Sequence, residues 1–177
     1  MRKLICLALA AALCLGLYLG LDRKREEYPA VSALEVTESK TILREGVSYF
    51  PRQDITVVLL MGINQHGKVE PTEFNVGGPA DMLTLMIFDE KTQQCNLLSL
   101  NRDMMVEMPA LEEPGWQFGI FHGQLGLAHS YGDGMEISCE NVRTTVSNLL
   151  YGLQVDYYFS LNMDAIAVLN DAVGGVT

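Results

Sequence analysis

The run that most restricts the fold is residues 55–62, ITVVLLMG, which is uncharged and rich in β-branched side chains. A continuous apolar run of this length is typical of a strand that is buried on both faces, because a half-exposed strand alternates apolar and polar residues. Such a strand needs covering layers on both sides. The run therefore predicts a sheet in the interior of a domain rather than at its surface.

The rest of the chain supplies strands and helices in an order that defines the fold class. We predict strands at 82–88, 95–100 and 157–161, helices at 124–131, 135–151 and 163–172, and long loops at 64–80 and 109–122. The short turn between the strands 82–88 and 95–100 predicts a hairpin, and Asn162 is placed to cap the last helix. The order β-β-β-α-β-α predicts an α/β fold with a mixed central β-sheet and helices packed on it, an α-β-α arrangement.

An uncharged segment near the N-terminus predicts a membrane anchor that precedes this domain. Residues 4–21, LICLALAAALCLGLYLGL, contain no charge and lie between basic residues. As a helix they span about 27 Å, close to the thickness of a bilayer core. A cleaved signal is the alternative. We expect an N-terminal transmembrane anchor over 1–25, a juxtamembrane linker over 26–53 and a domain over 54–177.

The charge of the chain excludes one class of partner. Beyond residue 25 there are 7 Lys and Arg against 21 Asp and Glu, a net charge of −14. A surface this acidic repels polyanions, so we expect no nucleic-acid binding. An anionic ligand would have to be held locally, by a few placed arginines or by a metal ion.

One of the few arginines stands at the end of an apolar strand, in the stretch Leu98-Ser-Leu-Asn-Arg-Asp103. An Arg-Asp pair after a strand is often an ion pair that closes a loop. Asp81 begins one strand of the predicted hairpin, and Arg102 follows the other. Both side chains should therefore lie at the same end of the sheet.

Several ordered blocks together resemble the LytR-CpsA-Psr family. They are VVLLMGI, ADMLTL, LSLNRD, QLGLAHSYG and VDYYFSLNMDAIAVLNDAVGGV. The resemblance implies a single-pass protein of the bacterial cell membrane with its domain outside the cytoplasm. It also implies transfer of a glycopolymer, such as teichoic acid or capsule, from a polyprenyl-pyrophosphate carrier to peptidoglycan. The family's distal arginines would lie beyond residue 177, so we expect the domain to be incomplete at its C-terminal end.

The family's charged blocks are kept only in part. Asp81 corresponds to the aspartate of one block, but Pro79 replaces that block's arginine, and Arg102 and Asp103 match a second block. Asn64 and Gln65 stand where the family has aspartate, often followed by arginine. By resemblance we expect catalytic roles for Arg102 and Asp103, pyrophosphate binding by Arg102, Asn101 and Gln65, and Mg²⁺ (or Mn²⁺) ligation by Asp81 and Asn64.

Two functions of different classes remain open at this point. The first is a cell-envelope glycopolymer phosphotransferase. The second is a non-catalytic, membrane-anchored module that binds lipid-linked or wall polymers, which the departures at Pro79, Asn64 and Gln65 favour. Apolar residues within 137–150 and 166–173 could line a slot for the polyprenyl tail, although core packing explains them equally well.

Overall fold

A computed structural model describes residues 41–73, 76–113 and 116–176. The predicted anchor, residues 4–21, lies outside these ranges. Within them, no helix is both long and apolar enough to cross a bilayer.

The described residues form eight strands, one 3-10 helix and two α-helices. The strands are β1 (Ile42–Arg44), β2 (Val47–Tyr49), β3 (Ile55–Ile63), β4 (Ala80–Asp89), β5 (Gln94–Leu100), β6 (Met105–Glu113), β7 (Trp116–Gln124) and β8 (Tyr157–Asn162). The 3-10 helix is Leu125–His129, and the α-helices are α1 (Glu136–Leu149) and α2 (Met163–Ala172).

The central sheet has the strand order β5-β4-β3-β8. The three strands β3, β4 and β5 are antiparallel neighbours, whereas β8 runs parallel to β3. Leu59, in the middle of β3, lies opposite Leu85 of β4 and Tyr158 of β8. The predicted mixed sheet is thus confirmed, and the uncharged run 55–62 forms most of β3, an inner strand of that sheet.

The core lies on one face of this sheet. Leu59 and Met61 of β3 and Leu85 of β4 are fully buried there, under α1 and the β6–β7 hairpin. The helix α1 buries Val142 and Val146, four residues apart on one side. It ends where the chain enters the left-handed region at two successive residues, Tyr151 (φ 59°) and Gly152 (φ 79°). The Gly152 amide then donates to the Ser147 carbonyl at 2.8 Å, a frequent way of closing a helix.

The opposite face of the sheet keeps large apolar side chains in contact with solvent. Leu97 is 68% exposed, and four further side chains on that face are between 39% and 47% exposed: Met82, Phe88, Tyr157 and Phe159. The described residues therefore cover one face of the sheet and leave much of the other uncovered.

Two local predictions are corrected. The loop predicted over 109–122 is wrong, because β6 and β7 pair as an antiparallel hairpin from Met105–Gln124 to Glu113–Trp116. Pro109 is tolerated there because β7 is the one strand that pairs with β6 in the described part of the chain, so a missing amide donor can face away from the ladder. The helix predicted over 124–131 is the shorter 3-10 helix already described.

Two further observations bear on the sequence predictions. Within the predicted linker, β1 and β2 form a small hairpin, turned by Glu45 (φ 53°) and Gly46 (φ 78°). Positive φ at both central residues is the geometry of the tight turns that suit hairpins. Cys95 is exposed and Cys139 is buried, and both are free thiols.

Candidate functional site

The predicted site residues follow or begin the strands at one end of the central sheet. Asp81 lies at the start of β4, Arg102 follows β5, and Asn64 and Gln65 follow β3. Antiparallel pairing brings the start of β4 beside the ends of β3 and β5. The Arg102 guanidinium donates through Nη1 to Oδ1 of Asp81, so the expected adjacency of these two side chains is confirmed.

Arg102 stands between two carboxylates and remains open to solvent. Its Nε lies 3.7 Å from Oδ1 of Asp103. The side chains of Arg102, Asp81 and Asp103 are 48%, 34% and 56% exposed. A guanidinium held this way keeps donors available to an incoming anion. The arrangement also fits a simple surface ion pair, so the chemical roles of the three residues stay predictions.

The loop that carries Arg102 is shaped by Asn101. The Asn101 side-chain oxygen accepts from the Asp103 amide at 2.9 Å, and its carbonyl accepts from the Met104 amide at 3.2 Å. This is the side-chain turn that asparagine commonly forms. Asn101 therefore has a structural position in the turn, and its predicted contact with pyrophosphate is untested.

Gly126 holds the 3-10 helix against this loop, a contact that the sequence did not indicate. Its amide donates to the Arg102 carbonyl at 2.9 Å. A Cβ at Gly126 would lie 2.7 Å from the Ala80 carbonyl oxygen and 3.3 Å from Cβ of Arg102. Because that approach excludes any side chain, only glycine fits here without a shift of the strand that carries Asp81.

Asn64 and Gln65 are positioned mainly through their backbone. The Asn64 amide donates to the Pro79 carbonyl at 2.9 Å, and the Gln65 carbonyl accepts from the Met163 amide at 3.0 Å. A Cβ on Gly78 would lie 2.5 Å from the Asn64 carbonyl oxygen, so the two loops are in close contact. These bonds fix the loop after β3 beside the start of β4.

A histidine-aspartate pair, also missed from sequence, ties the same loop to α2. His66 Nδ1 lies 3.0 Å from Oδ1 of Asp164, and the Gly67 amide donates to the other Asp164 oxygen at 2.7 Å. The hydrogen bond to His66, followed by that of the Gly67 amide, lowers the pKa of Asp164. Asn162 donates to the Gly67 carbonyl at 2.8 Å and also accepts from the Ala165 amide at 3.0 Å, which confirms the predicted cap. We call these four residues, His66, Gly67, Asn162 and Asp164, the loop clamp.

A cavity of about 310 Å³ lies beside Gln65, on the covered side of the sheet. Its walls include His129, Cys139 and Tyr158. Burial lowers the pKa of His129, raises that of Cys139 to about 11 and raises that of Tyr158, so all three side chains are uncharged at neutral pH. Such walls suit a largely apolar ligand group.

A family comparison assigns the chain on a broader basis than these contacts. The family model described as LytR_cpsA_psr matches residues 23–177. The chain belongs to the LytR_cpsA_psr family. The predicted resemblance is therefore confirmed, and the match begins upstream of Val57, the first residue of the sequence blocks that carry the resemblance.

Individual relatives of this LytR_cpsA_psr chain agree with the assignment. Biofilm regulatory protein A of Streptococcus mutans is 28% identical over 120 residues, 68% of this chain and 27% of that protein. The structure of gbs0355 from Streptococcus agalactiae matches at 25% identity and a TM-score of 0.54, over 70% of this chain and 38% of that one. The transcriptional regulator yvhJ of Bacillus subtilis matches in fold, with 22% identity and a TM-score of 0.52, over 71% and 48% of the two chains. This chain thus spans less than half the length of these relatives.

The charged residues of this LytR_cpsA_psr member suit a Mg²⁺ site completed by substrate phosphates better than one built from protein ligands alone. Among the described residues, no group of three or more His, Cys, Asp or Glu side chains is placed to hold a metal ion. Mg²⁺ is commonly held by one or two carboxylates, with substrate phosphates and waters filling the other positions. Asp81, partly exposed beside Arg102, fits that open kind of site. Asn64 offers an uncharged oxygen from the neighbouring loop.

The buried His129 makes folding of this LytR_cpsA_psr chain sensitive to pH. Its Nδ1 donates to the Gly78 carbonyl at 2.8 Å, and its Nε2 lies 4.0 Å from the Cys139 sulfur. Because burial lowers the folded-state pKa below 6.5, the unfolded chain binds the proton first. We expect His129 to leave the free energy of unfolding independent of pH above pH 6.5. Below that pH, we expect the free energy of unfolding to fall by up to about 1.4 kcal/mol per pH unit.

Urea unfolding at several pH values measures this effect, with His129→Gln as the comparison. The substitution removes the titrating ring and should flatten the dependence below pH 6.5, even if it lowers stability at every pH. Parallel pH profiles for the two proteins would contradict the assignment to His129.

Proposed function

We propose that this protein transfers a cell-envelope glycopolymer from a polyprenyl-pyrophosphate carrier to peptidoglycan at the Asp81–Arg102 end of its sheet. The observation that carries the proposal is the ion pair itself. Asp81 and Arg102 are 21 residues apart in sequence, yet they meet in the open at one end of the central sheet. A cavity with mainly apolar walls lies beside Gln65 in the neighbouring loop.

The proposed reaction forms one bond and breaks one. An acceptor sugar hydroxyl oxygen bonds to the phosphorus that carries the polymer, and the bond from that phosphorus to the bridging oxygen breaks. The hydroxyl proton leaves to a carboxylate or to water, and polyprenyl phosphate is released. Negative charge grows on the leaving phosphate, so placed cations lower the barrier.

The residues of the chain divide this work. Arg102 presents a planar fork of donors that matches two phosphate oxygens. Asp103 is placed to orient Arg102 or to accept the hydroxyl proton. Asp81 holds Arg102 in the free protein and, with Asn64, offers oxygen ligands to Mg²⁺ or Mn²⁺. When bound, the metal ion neutralises charge on the phosphate oxygens.

The cavity beside Gln65 is the proposed binding site for the first isoprene units of the carrier. It differs from the slots that we expected within 137–150 and 166–173, since only its Cys139 wall comes from the first range. The α2 side chains Ile166, Val168 and Leu169 are exposed rather than part of this cavity.

The setting proposed for this reaction is the outer side of a bacterial membrane. It is supported by the uncharged segment 4–21 and by the location that the family resemblance implies. Membrane attachment near residue 21 keeps the domain within reach of a lipid-linked donor.

A polymer-binding module without transferase activity is the second candidate. It is favoured by Pro79, which stands where the resemblance expects an arginine and whose carbonyl is bound to the Asn64 amide. With fewer cations at the site, a pyrophosphate could be held without being cleaved.

A transfer assay separates the two candidates. The full-length protein receives Mg²⁺, peptidoglycan and a polyprenyl-pyrophosphate glycan that is labelled in both its sugar and its lipid. The proposal expects labelled polymer on the peptidoglycan and an equal amount of polyprenyl phosphate. Retention of intact donor by the protein, with no release of polyprenyl phosphate, would identify the module instead.

The loop clamp should matter to donor binding more than to folding. Asp164→Ala removes both oxygens that hold His66 and Gly67, so the loop bearing Asn64 and Gln65 becomes less fixed. We expect the KM for the donor to rise by roughly three- to tenfold, which corresponds to the net contribution of about one ordinary hydrogen bond. Asp164→Asn, which keeps one acceptor oxygen, should recover part of the loss.

Asp171→Ala is the matched control, because Asp171 is an exposed aspartate on the same helix. Its KM should equal that of the unmodified protein. Equal KM values for the Asp164 and Asp171 variants would show that the clamp has no part in positioning the site.

A further inference from the structure

A second and larger cavity, of about 650 Å³, lies at the opposite end of the sheet from Arg102. It is bounded by the β1–β2 hairpin, the start of β3 and the segment between α1 and β8. The nine residues of β3 separate the two ends by about 30 Å. None of the predicted site residues borders this cavity, so nothing in the proposed transfer reaction uses it.

Three aromatic side chains surround the cavity and are left largely open to solvent. Tyr49, Phe50 and Tyr151 line it and are 54%, 73% and 61% exposed. They come from separate parts of the chain, the end of a hairpin and the end of a helix. Exposed apolar surface that is contiguous and lines a concave region is typical of binding sites, and aromatic rings contribute strongly to such contacts.

The cations at this cavity are already neutralised. Arg52 donates through Nε and Nη2 to both oxygens of Asp54, at 2.8 and 2.7 Å, and through Nη1 to Asp89 at 2.7 Å. Arg143 is paired with Glu140 at 2.6 Å. The Arg52 hydrogen bonds hold the pKa values of Asp54 and Asp89 well below the usual range, so both stay ionised. Both arginines that line the cavity are therefore already engaged, which disfavours a polyanion as its ligand.

The remaining polar groups suit hydroxyl groups rather than charges. Planar amide and carboxylate groups line the cavity, from Gln53, Gln154, Glu90 and Asp156. The Gln154 amide donates to Oδ1 of Asp156 at 2.6 Å. Ser147 also lines it, and the buried Ser147 hydroxyl has no hydrogen-bond partner among the described residues. Because this oxygen has almost no accessible surface, the amide and carboxylate groups are the polar groups that a ligand in the cavity can reach.

From these features we infer that the cavity binds an uncharged glycan, with sugar rings stacked on Tyr49, Phe50 and Tyr151. The C–H faces of a sugar ring match aromatic rings, and its hydroxyl groups match planar amides and carboxylates. The volume lies in the range of about 300–1,000 Å³ for small-ligand sites, enough for two or three sugar rings. The site would hold a glycan chain some distance from the atoms that react.

Binding of defined oligosaccharides to the full-length protein tests this inference. Chitotetraose and cellotetraose serve as uncharged probes, with calorimetry as the readout. We expect at least one to bind with a Kd below about 10 mM. Tyr49→Ala and Phe50→Ala should each weaken binding about fivefold or more. Phe159→Ala, which removes an exposed aromatic ring outside the cavity, should leave the Kd unchanged.

Several results would overturn the inference. One is that neither probe binds at concentrations up to about 10 mM. A second is that Tyr49→Ala and Phe50→Ala both leave the Kd unchanged. A third is that poly(glycerol phosphate) binds at these residues more tightly than either uncharged probe. If the unmodified protein binds phosphatidylglycerol vesicles but neither glycan, and Phe50→Ala loses the vesicle binding, the aromatic residues at the cavity contact lipid instead. The test measures binding and not transfer, so the inference and the proposed transferase can fail independently.

Discussion

Replacing Arg102 by alanine is expected to reduce polymer transfer by about a thousandfold or more. Cationic groups aimed at a transferring phosphoryl group commonly contribute on the order of 10³–10⁵ to the rate. Arg102 is the arginine that the structure places at the site end of the sheet, paired with Asp81 and near Asp103. Without Arg102, the negative charge that grows on the phosphate faces Asp81 and Asp103, whose carboxylates are then no longer neutralised by the guanidinium.

Two further variants make this result specific. Arg102→Lys keeps one charge but not the planar fork, so it should recover only part of the activity. Arg44→Ala removes an exposed arginine from β1 and should leave transfer unchanged. All variants are compared by release of labelled polyprenyl phosphate. Near-normal release by Arg102→Ala would leave Arg102 as a loop-closing ion pair.

Replacing Gly126 by alanine is expected to damage both the stability and the site. The added Cβ would lie 2.7 Å from the Ala80 carbonyl oxygen, a backbone atom that cannot rotate away. Either β4 or the 3-10 helix must move, and such overpacking costs about 1–3 kcal/mol of unfolding free energy. Because Asp81 follows Ala80 and the Gly126 amide binds the Arg102 carbonyl, transfer activity should fall as well.

Gly119→Ala is the control for this substitution. A Cβ at Gly119 would meet its nearest neighbour, in the Phe121 ring, at an ordinary 3.7 Å. Urea unfolding at constant pH compares the two variants with the unmodified protein. Equal unfolding free energies for Gly126→Ala and Gly119→Ala would contradict the close approach between the 3-10 helix and β4.

The central part of the fold could be predicted because its signals are local. The run 55–62 is uncharged throughout, and the strand β3 that contains it is one of the two inner strands of the sheet. The hairpin β4–β5 follows from two apolar runs and a polar turn, and it fixes Asp81 and Arg102 at one end. The β6–β7 hairpin was missed because Pro109 and its glycines read as a loop, while pairing with a single partner tolerates both.

The missed site residues depend on contacts that no local pattern contains. His66 and Asp164 are 98 residues apart, and their pairing follows from the parallel alignment of β8 with β3. Gly126 matters only because two backbone segments approach it from distant parts of the chain. His129 is buried, and its bond to the Gly78 carbonyl joins residues 51 positions apart, which no local pattern predicts.

The central claim is that Asp81 and Arg102 act together on one pyrophosphate. A double-mutant cycle tests it most directly, by measuring polyprenyl phosphate release for the full-length protein, Asp81→Ala, Arg102→Ala and the double variant, each with Mg²⁺. Residues that act as a unit are strongly non-additive, so the double variant should be about as slow as the worse single variant. Release that falls by the product of the two single effects, or that survives both substitutions, would contradict the claim.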